Sequence, residues 1–237
     1  MQNKVKEYDK VSPCGTTNSI IFDGVFYFYH MQNLQTIIFD LGGVIINLKT
    51  EQQWIEEDLL PNFKPDALYK LQESEFFRDY ETGKIDSTFF IKQLQQIANN
   101  KTASDDEIKK YWNGILKDIP IHRIEILRKL KENYKLILLS NTNEVHLNEI
   151  YHYMQYEFGE DILTPNFHHC YYSQEIGLRK PNQEIYEFVL QNENLAPETC
   201  LFLDDKLENL IQPQKLGIHT HHINFNQFSK VDIEHLF

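Results

Sequence analysis

One aspartate of this chain stands between a β-prone apolar run and two glycines. Asp40 directly follows Thr36–Phe39, and Gly42 and Gly43 come two and three residues later. A buried strand ends where its apolar run ends, and glycines let the backbone turn sharply or approach a ligand closely. The pattern therefore predicts a carboxylate at the mouth of a site, where it could act as a nucleophile or hold a metal ion.

Polar side chains also follow two further apolar runs. The run 136–139 closes on Ser140, and Asn141 follows it, so both residues could donate hydrogen bonds to an anion. Residues 170–172 form a third, shorter run, and Lys180 comes eight residues after it. This lysine is a candidate for a fixed positive charge.

A fourth apolar run, residues 200–203, ends in the acidic pair Asp204 and Asp205. Asn209 lies about one helical turn beyond the pair. Two carboxylates at a strand end bind a hard divalent cation well. The four runs thus supply a candidate nucleophile, a hydroxyl, an ammonium group and a metal-binding acidic pair.

The elements that must position these groups alternate along most of the chain. After the strand that ends at Asp40, we expect strands at 135–140, 169–172, 200–204 and 218–223, with helices at 121–133, 144–156, 182–192 and 206–216. Strands separated by helices imply parallel pairing with right-handed crossovers. Ligands bind such sheets at the carboxyl ends of the strands, where all four motifs lie.

The alternation stops between residues 44 and 121. Helical stretches are expected there at 50–60, 65–73, 74–82, 87–99 and 104–117, with Ser87 and Ser104 as N-caps. This pattern predicts a helical insert after the first core strand. Aromatic residues in such an insert more often form its core than contact a substrate. Within the insert, Arg78 and Trp112 are the first candidates for a substrate contact.

Composition excludes several classes of function. A net charge of −12 argues against a nucleic-acid partner, which would call for a basic stripe. The apolar run 20–29 is interrupted by Asp23 and Gly24 and is too short to span a membrane. It also lacks the small-residue cleavage site of a secretory signal. These observations indicate a cytoplasmic protein, and residues 1–30 are expected to be an extension outside the fold.

The cysteines and histidines predict no disulfide framework and no zinc site. The three cysteines, an odd number, are best interpreted as free thiols. The histidine clusters at 168–169 and 219–222 lack both a CxxC partner and a helical pair four residues apart.

The four motifs in this order resemble those of the haloacid dehalogenase (HAD) superfamily. The resemblance covers roughly residues 35–223 and implies a Rossmann-like three-layer α/β/α parallel sheet with an inserted helical cap. The implied boundaries are 31–48 and 118–237 for the core and 49–117 for the cap. Asp40 would be the nucleophile, and Ser140 and Lys180 would assist catalysis.

The same resemblance assigns the binding roles. Mg²⁺ would be held by Asp40, the main-chain carbonyl of Gly42, Asp204 and Asp205, with Asn209 orienting the acidic pair. A phosphate group would be bound by Ser140, Asn141, Lys180, Gly42 and Gly43. The implied activity is Mg²⁺-dependent hydrolysis of a small phosphorylated metabolite through an aspartyl-phosphate. The oligomeric state is not predicted.

One departure from the family pattern is important. Most family phosphatases carry a second acid two residues after the nucleophile, and this chain has Gly42 there. The stretches 38–44, 139–143 and 177–181 are similar to the subgroup of sugar-phosphate phosphatases like α-D-glucose-1-phosphatase, which tolerates glycine at this position. Without that acid we expect substrates with acidic leaving groups to be favoured.

Two alternatives remain open at this point. Haloacid dehalogenases also lack the second acid, but a metal-free dehalogenase has no need for the adjacent, mutually repelling Asp204 and Asp205. A catalytically weakened HAD-like binding protein is the other alternative, and the survival of the four catalytic positions argues against it.

Overall fold

The computed structural model describes residues 19–22, 25–28, 33–58, 70–97 and 103–233 of the 237-residue chain. Cys14 and most of the predicted helix 65–73 lie outside the described residues. The strands are β1 (Ser19–Phe22), β2 (Val25–Phe28), β3 (Thr36–Phe39), β4 (Lys135–Ser140), β5 (His169–Tyr172), β6 (Cys200–Asp204) and β7 (His219–His222). The helices are α1 (Glu51–Asp58), α2 (Glu75–Glu81), α3 (Ser87–Ile97), α4 (Asp105–Asn113), α5 (Ile121–Lys131), α6 (Glu144–Phe158), α7 (Ser173–Ile176), α8 (Gln183–Asn192) and α9 (Leu207–Lys215).

Five strands form one parallel sheet in the order β5-β4-β3-β6-β7. This confirms the predicted α/β class with its parallel sheet. The chain enters at the central strand β3, builds outward through β4 and β5, and then returns to the other side of β3 for β6 and β7. The strand order therefore reverses beside β3, and an open α/β sheet binds ligands at such a point.

Both faces of the sheet are covered, because successive side chains of each strand point in opposite directions. Ile37 and Phe39 pack on one face with residues of α5 and α6, whereas Ile38 packs on the other face with residues of α8 and α9. Strands buried on both faces read as continuous apolar runs, which is why the sequence showed no alternation in them.

Helices α1 to α4 form a unit with a hydrophobic core of its own. Its buried side chains are Trp54, Leu71, Tyr80, Phe90, Ile91, Leu94, Ile108, Tyr111 and Trp112, and Val145 of α6 joins them from the sheet domain. Two antiparallel linkers connect the unit to the sheet domain. The Asn47 N–H donates to Asp118 O at 2.9 Å, and the Lys49 N–H donates to Ile115 O at 2.8 Å. The predicted cap boundaries at 49 and 117 fall within these linkers.

Local capping explains where two of these helices begin. Ser104 caps α4 as predicted, in a reciprocal capping box with Glu107. The prediction for α3 is wrong, because Asp86 supplies the capping oxygen, which accepts the Phe89 N–H at 2.8 Å. Ser87 instead donates to Glu144 of α6 at 2.5 Å and so links the helical unit to the sheet domain.

The apolar run near the amino terminus, left unassigned from sequence, contains a hairpin. Strands β1 and β2 pair antiparallel with Phe22 opposite Val25, in a two-stranded sheet of their own. The rest of the predicted extension 1–30 lies outside the described residues.

Candidate active site

Asp40 lies at the carboxyl end of the central strand, level with Asp204 of the neighbouring strand. The parallel register pairs Phe39 with Leu203, so the next residues of both strands are the two aspartates. The Asp40 N–H donates to Leu203 O at 2.9 Å, so the hydrogen bonding between β3 and β6 extends to Asp40. Asp40 is 7% exposed, so this residue is largely shielded from solvent at the edge of the sheet.

Lys180 joins the two aspartates. Its buried ammonium group lies 2.8 Å from Asp40 Oδ1 and 2.7 Å from Asp204 Oδ2. Asn209 donates its side-chain amide to both carboxylate oxygens of Asp204, each at 3.0 Å. The Lys206 N–H donates to Asp204 Oδ1 at 2.8 Å. Asp204 is thus fixed from three sides, and Asn209 lies where it was expected.

The third carboxylate, Asp205, completes a group that can hold a metal ion. Asp40, Asp204 and Asp205 each offer one oxygen, and these oxygens lie within 4.8 Å of one another. Oδ1 of Asp205 is buried without a hydrogen-bond partner, as expected of an atom that awaits a ligand. Carboxylate oxygens are the ligands that hard divalent cations prefer, so the residues fit such a cation.

The histidine clusters hold no comparable group. Among the residues that the structure describes, the acidic group of Asp40, Asp204 and Asp205 is the one set of three or more potential ligands close enough to share an ion.

The electrostatics of the site favour a cation. Burial raises the pKa of Asp40 to about 7, and the charges of Asp204 and Asp205 add to the effect while Lys180 opposes it. Burial and Asp204 also raise the pKa of Asp205. Burial alone would lower the pKa of Lys180, but the two carboxylates outweigh it and the pKa rises. Three carboxylates around one ammonium leave excess negative charge that a divalent cation would neutralise.

Comparison with protein-family models gives a match over residues 34–212, to the model described as haloacid dehalogenase-like hydrolase. The chain belongs to this family. The matched segment runs from the strand that carries Asp40 through the helix that carries Asn209, and it includes every motif on which the resemblance was based.

Named relatives and solved structures of the HAD-like hydrolases cover most of the chain. D-ribitol-5-phosphate phosphatase of Bacteroides thetaiotaomicron is 28% identical over 193 residues, which are 79% of this chain and 90% of that protein. Glyceraldehyde 3-phosphate phosphatase of Pyrococcus furiosus is 25% identical over 218 residues, which are 86% of this chain and 87% of that protein. A crystal structure of a HAD family enzyme from B. thetaiotaomicron, in complex with magnesium and inorganic phosphate, is 31% identical with a TM-score of 0.71. The matched region covers 80% of this chain and 93% of the chain in that crystal structure.

Ser140 and Asn141 of this HAD-like site differ in what they contact. Ser140 is buried at the end of β4, one residue beyond the level of Asp40. The Asn141 side chain clamps the main chain of Lys180: its Nδ2 donates to Lys180 O at 2.8 Å, and its Oδ1 accepts the Lys180 N–H at 2.9 Å. The Asn141 side chain thus positions the lysine, a task that the sequence did not reveal. A phosphate contact at Asn141 stays a prediction.

The two glycines after Asp40 differ in how closely other groups approach them. Gly43 has a φ of +75°, and a Cβ there would lie 2.6 Å from Asp205 Oδ2. At Gly42 a Cβ would lie 3.0 Å from Leu48 Cδ1, so an aliphatic side chain fills the space beside position 42. The Gly42 carbonyl as a metal ligand stays a prediction.

The two cap residues selected from sequence lie elsewhere. Trp112 is buried in the core of the helical unit, and its ring stacks on His146 of α6 with centroids 5.3 Å apart. Arg78 donates to Glu73 O at 2.8 Å in an exposed contact. Trp112 therefore packs as aromatic residues usually do, and the structure places neither side chain against the acidic group.

Proposed function

We propose that this HAD-like enzyme is a Mg²⁺-dependent phosphatase that transfers the phosphoryl group of a small phosphomonoester to Asp40 and then to water. The observation that carries the proposal is the contact of the Asp40 carboxylate with Lys180 at the point of strand reversal, beside Asp204 and Asp205. The similarity of the chain to two named phosphatases over most of their length supports the same reaction class.

The side chains of this site can divide the chemistry between them. Asp40 attacks phosphorus in line, and the bond between phosphorus and the alcohol oxygen breaks as the aspartyl-phosphate forms. Lys180, 2.8 Å from the nucleophilic carboxylate, supplies fixed positive charge for the transferring oxygens. Ser140 at the end of β4 offers them a hydroxyl group. Water then attacks phosphorus, inorganic phosphate leaves and the Asp40 carboxylate is regenerated.

The metal would be held by Asp40, Asp204 and Asp205, with the Gly42 carbonyl as a further ligand. The carboxylate nucleophile and the phosphate group are both negative and repel each other. When bound, Mg²⁺ would neutralise part of the phosphate charge and so weaken this repulsion. Three observations support the assignment: the spacing of the carboxylates, the unpartnered Asp205 oxygen and the magnesium in a solved relative. Because the chain carries a net charge of −12, an anionic substrate depends on this local positive charge.

The substrate class follows from the relatives and the sequence motifs. The two named phosphatases act on a polyol phosphate and a triose phosphate, and the motifs resemble those of sugar-phosphate phosphatases. We therefore expect a small polyol or sugar phosphate as substrate, selected by the helical unit acting as a cap.

The location that we propose is the cytoplasm. None of the helices in the described part of the chain combines the length and apolar character of a membrane span. Cys170 and Cys200 are free thiols, which suits a reducing compartment.

Dehalogenation is the second candidate, and the charge of the site argues against it. Burial, together with the charges of Asp204 and Asp205, raises the pKa of Asp40 to about 7 and so disfavours its charged form when no further cation is bound. A protonated carboxyl is a poor nucleophile, so a metal-free reaction has little use for this acidic group.

Phosphate release from a panel of phosphorylated metabolites, measured with and without Mg²⁺, tests the proposal. The panel includes ribitol 5-phosphate, glyceraldehyde 3-phosphate, glucose 1-phosphate and 4-nitrophenyl phosphate. We expect Mg²⁺-dependent release that Asp40→Asn lowers by at least ~10³-fold, as the loss of a covalent nucleophile requires. Asp106→Asn makes the same chemical change at a side chain that is 93% exposed, and should leave turnover unchanged.

Three outcomes would contradict the proposal. Wild-type turnover by Asp40→Asn would exclude the covalent step. Halide release from chloroacetate without Mg²⁺ would indicate a dehalogenase. Absence of Mg²⁺-dependent release from the whole panel would favour a binding protein.

A further inference from the structure

Glu81, the last residue of α2, is a buried carboxylate that the catalytic steps above do not use. The carboxylates buried among the described residues are those of Asp40, Glu81, Glu193 and Asp204. Glu193 pairs with Lys135 at the amino-terminal end of β4, on the opposite edge of the sheet from Asp40. Glu81 therefore stands alone as a buried acid that belongs to the helical unit.

Contacts with the sheet domain hold Glu81 against Arg179. Arg179, the residue before Lys180, places its Nη2 atom 2.8 Å from Glu81 Oε2. The turn after α2 packs directly on the sheet domain, because a Cβ at Gly83 would lie 2.2 Å from Gln174 O. Backbone contact and ion pair together fix the end of α2 against the segment that carries Lys180.

Charged groups of the sheet domain act on the Glu81 carboxylate. The positive groups that act on its carboxylate are those of Arg179, Lys206 and Lys180. The Lys180 side chain contacts Asp40 and the Lys206 main chain contacts Asp204, so both residues adjoin the acidic group. Burial raises the pKa of Glu81 above its ordinary value, and these cations oppose the rise without cancelling it. A carboxyl in this setting retains a proton more readily than an exposed one.

Position 42, where most family phosphatases carry their acid, cannot supply that proton. Leu48 fills the space beside Gly42, and Asn226 holds the Leu48 main chain with both atoms of its amide. The Leu48 N–H donates to Asn226 Oδ1 at 2.9 Å, and Asn226 Nδ2 donates to Leu48 O at 2.6 Å. The Leu48 main chain is thus anchored, and its side chain lies next to position 42.

We propose that Glu81 is the catalytic acid and base of this enzyme and takes the role that Gly42 cannot fill. The proposal rests on the phosphatase function proposed above. As Asp40 attacks and the bond from phosphorus to the alcohol oxygen breaks, that oxygen takes the proton of the Glu81 carboxyl. Arg179 stabilises the carboxylate that remains. In the second step this carboxylate accepts a proton from the attacking water, the bond from phosphorus to Asp40 breaks, and both side chains return to their starting states.

Two aryl phosphates of similar shape test the role of Glu81. The phenolate released from phenyl phosphate is much more basic than the one released from 4-nitrophenyl phosphate, so it needs a proton donor while the other does not. With Mg²⁺ and Glu81→Gln, we expect turnover of phenyl phosphate to fall by ~10²-fold or more and that of 4-nitrophenyl phosphate by less than about threefold. Wild type should hydrolyse both.

Ser87→Ala is the matched control, because it removes another contact between the helical unit and the sheet domain, the 2.5 Å hydrogen bond to Glu144. It should change both turnovers by the same factor.

If Glu81→Gln also changed both turnovers equally, or changed neither, Glu81 would only fasten the two units and the proposal would be overturned. It would equally be overturned if wild type hydrolysed only the nitrophenyl ester. If wild type hydrolysed neither ester, the phosphatase function itself would fail, which is a separate result.

Discussion

Gly43 and Asp205 approach each other so closely that no side chain fits between them. The hydrogen on the Gly43 α-carbon occupies a position where a methyl group would lie 2.6 Å from the Asp205 carboxylate. The turn after β3 and the acidic pair after β6 therefore fix each other's position, and the shape of the proposed metal site depends on this contact.

Replacing Gly43 tests this dependence. In Gly43→Ala the methyl group would lie 2.6 Å from Asp205 Oδ2 and 2.9 Å from the Phe225 ring, and both side chains must shift. We therefore expect Mg²⁺-dependent turnover to fall by about 100-fold, as when residues orienting a metal site are lost. The matched control is Gly159→Ala, because Gly159 has a nearly identical φ of +74° and no atom within 4 Å of the added Cβ. Both variants should lose about 1–2 kcal/mol of unfolding free energy from backbone strain, whereas only Gly43→Ala should lose activity. Equal turnover in the two variants would contradict the prediction.

Removal of the Lys180 ammonium should make the fold depend on the metal. Lys180→Met leaves the Asp40 and Asp204 carboxylates without their shared cation, and an uncompensated buried charge costs about 3–5 kcal/mol. We expect the melting temperature without Mg²⁺ to drop and the increase on adding Mg²⁺ to exceed that of wild type. Lys84→Met, which removes an exposed ion pair with Asp79, should change neither value appreciably. If Mg²⁺ raised the melting temperature of Lys180→Met by no more than that of wild type, the idea that Lys180 and the metal neutralise the same carboxylates would be refuted.

The clamp of Asn141 on Lys180 should matter for both folding and catalysis. Asn141→Ala leaves two main-chain groups of Lys180 without partners, at a cost of about 1–3 kcal/mol for each group that water cannot reach. The lysine then loses its alignment, so we expect turnover to fall by at least ~10-fold, as when a catalytic group is misplaced. Asn192→Ala removes a side-chain hydrogen bond to Tyr171 outside the site and should lower stability alone. Unchanged turnover in Asn141→Ala would show that other contacts align Lys180.

The stability of the protein should depend on pH through His146. Burial lowers the pKa of His146 from its ordinary 6.5 to about 3, so the folded protein holds the neutral form. Between these values the unfolded chain binds the extra proton, and unfolding free energy therefore falls as the pH falls from 6.5 towards 3. The slope from this residue is at most about 1.4 kcal/mol per pH unit, and less because the ring keeps some exposure.

His146→Phe should reduce that slope. Phenylalanine can retain the stack on Trp112 but loses the 2.9 Å hydrogen bond to Asn113 and cannot titrate. Denaturation at pH 7 should show a loss of stability, while the difference between pH 4 and pH 6.5 should become smaller than in wild type. A pH dependence identical to that of wild type would mean that other groups cause it.

The sequence predicted the groups that stand at strand ends. Asp40, Ser140, Asp204 and Asp205 each follow an apolar run, and parallel pairing brings the ends of such runs to one edge of a sheet. The family and the parallel α/β fold were predictable because both depend on local sequence patterns and on the order of these patterns along the chain. Both predictions are confirmed. Lys180 lies on a loop, and the sequence located it only through its motif.

Groups that depend on contacts between distant segments were missed. Asn141 reaches Lys180 across 39 positions, Leu48 fills the space beside Gly42 through a turn, and no local pattern records either arrangement. The error at Ser87 has another cause, because Asp86 and Ser87 are adjacent capping residues and tertiary contact with Glu144 decides between them. A substrate contact of Arg78 stays a prediction, because helix periodicity does not show which side of the unit faces the sheet domain.

The paired linkers at 47–49 and 115–118 limit how the helical unit can travel. Main-chain hydrogen bonds join the two segments into one two-stranded connection, so we expect the unit to rotate about a single axis there. Opening would then swing α2 away from Arg179 along a single arc, and closing would return it to the same place. With the cap role proposed above, each closure would bring Glu81 back to Arg179 in the same arrangement for every substrate molecule.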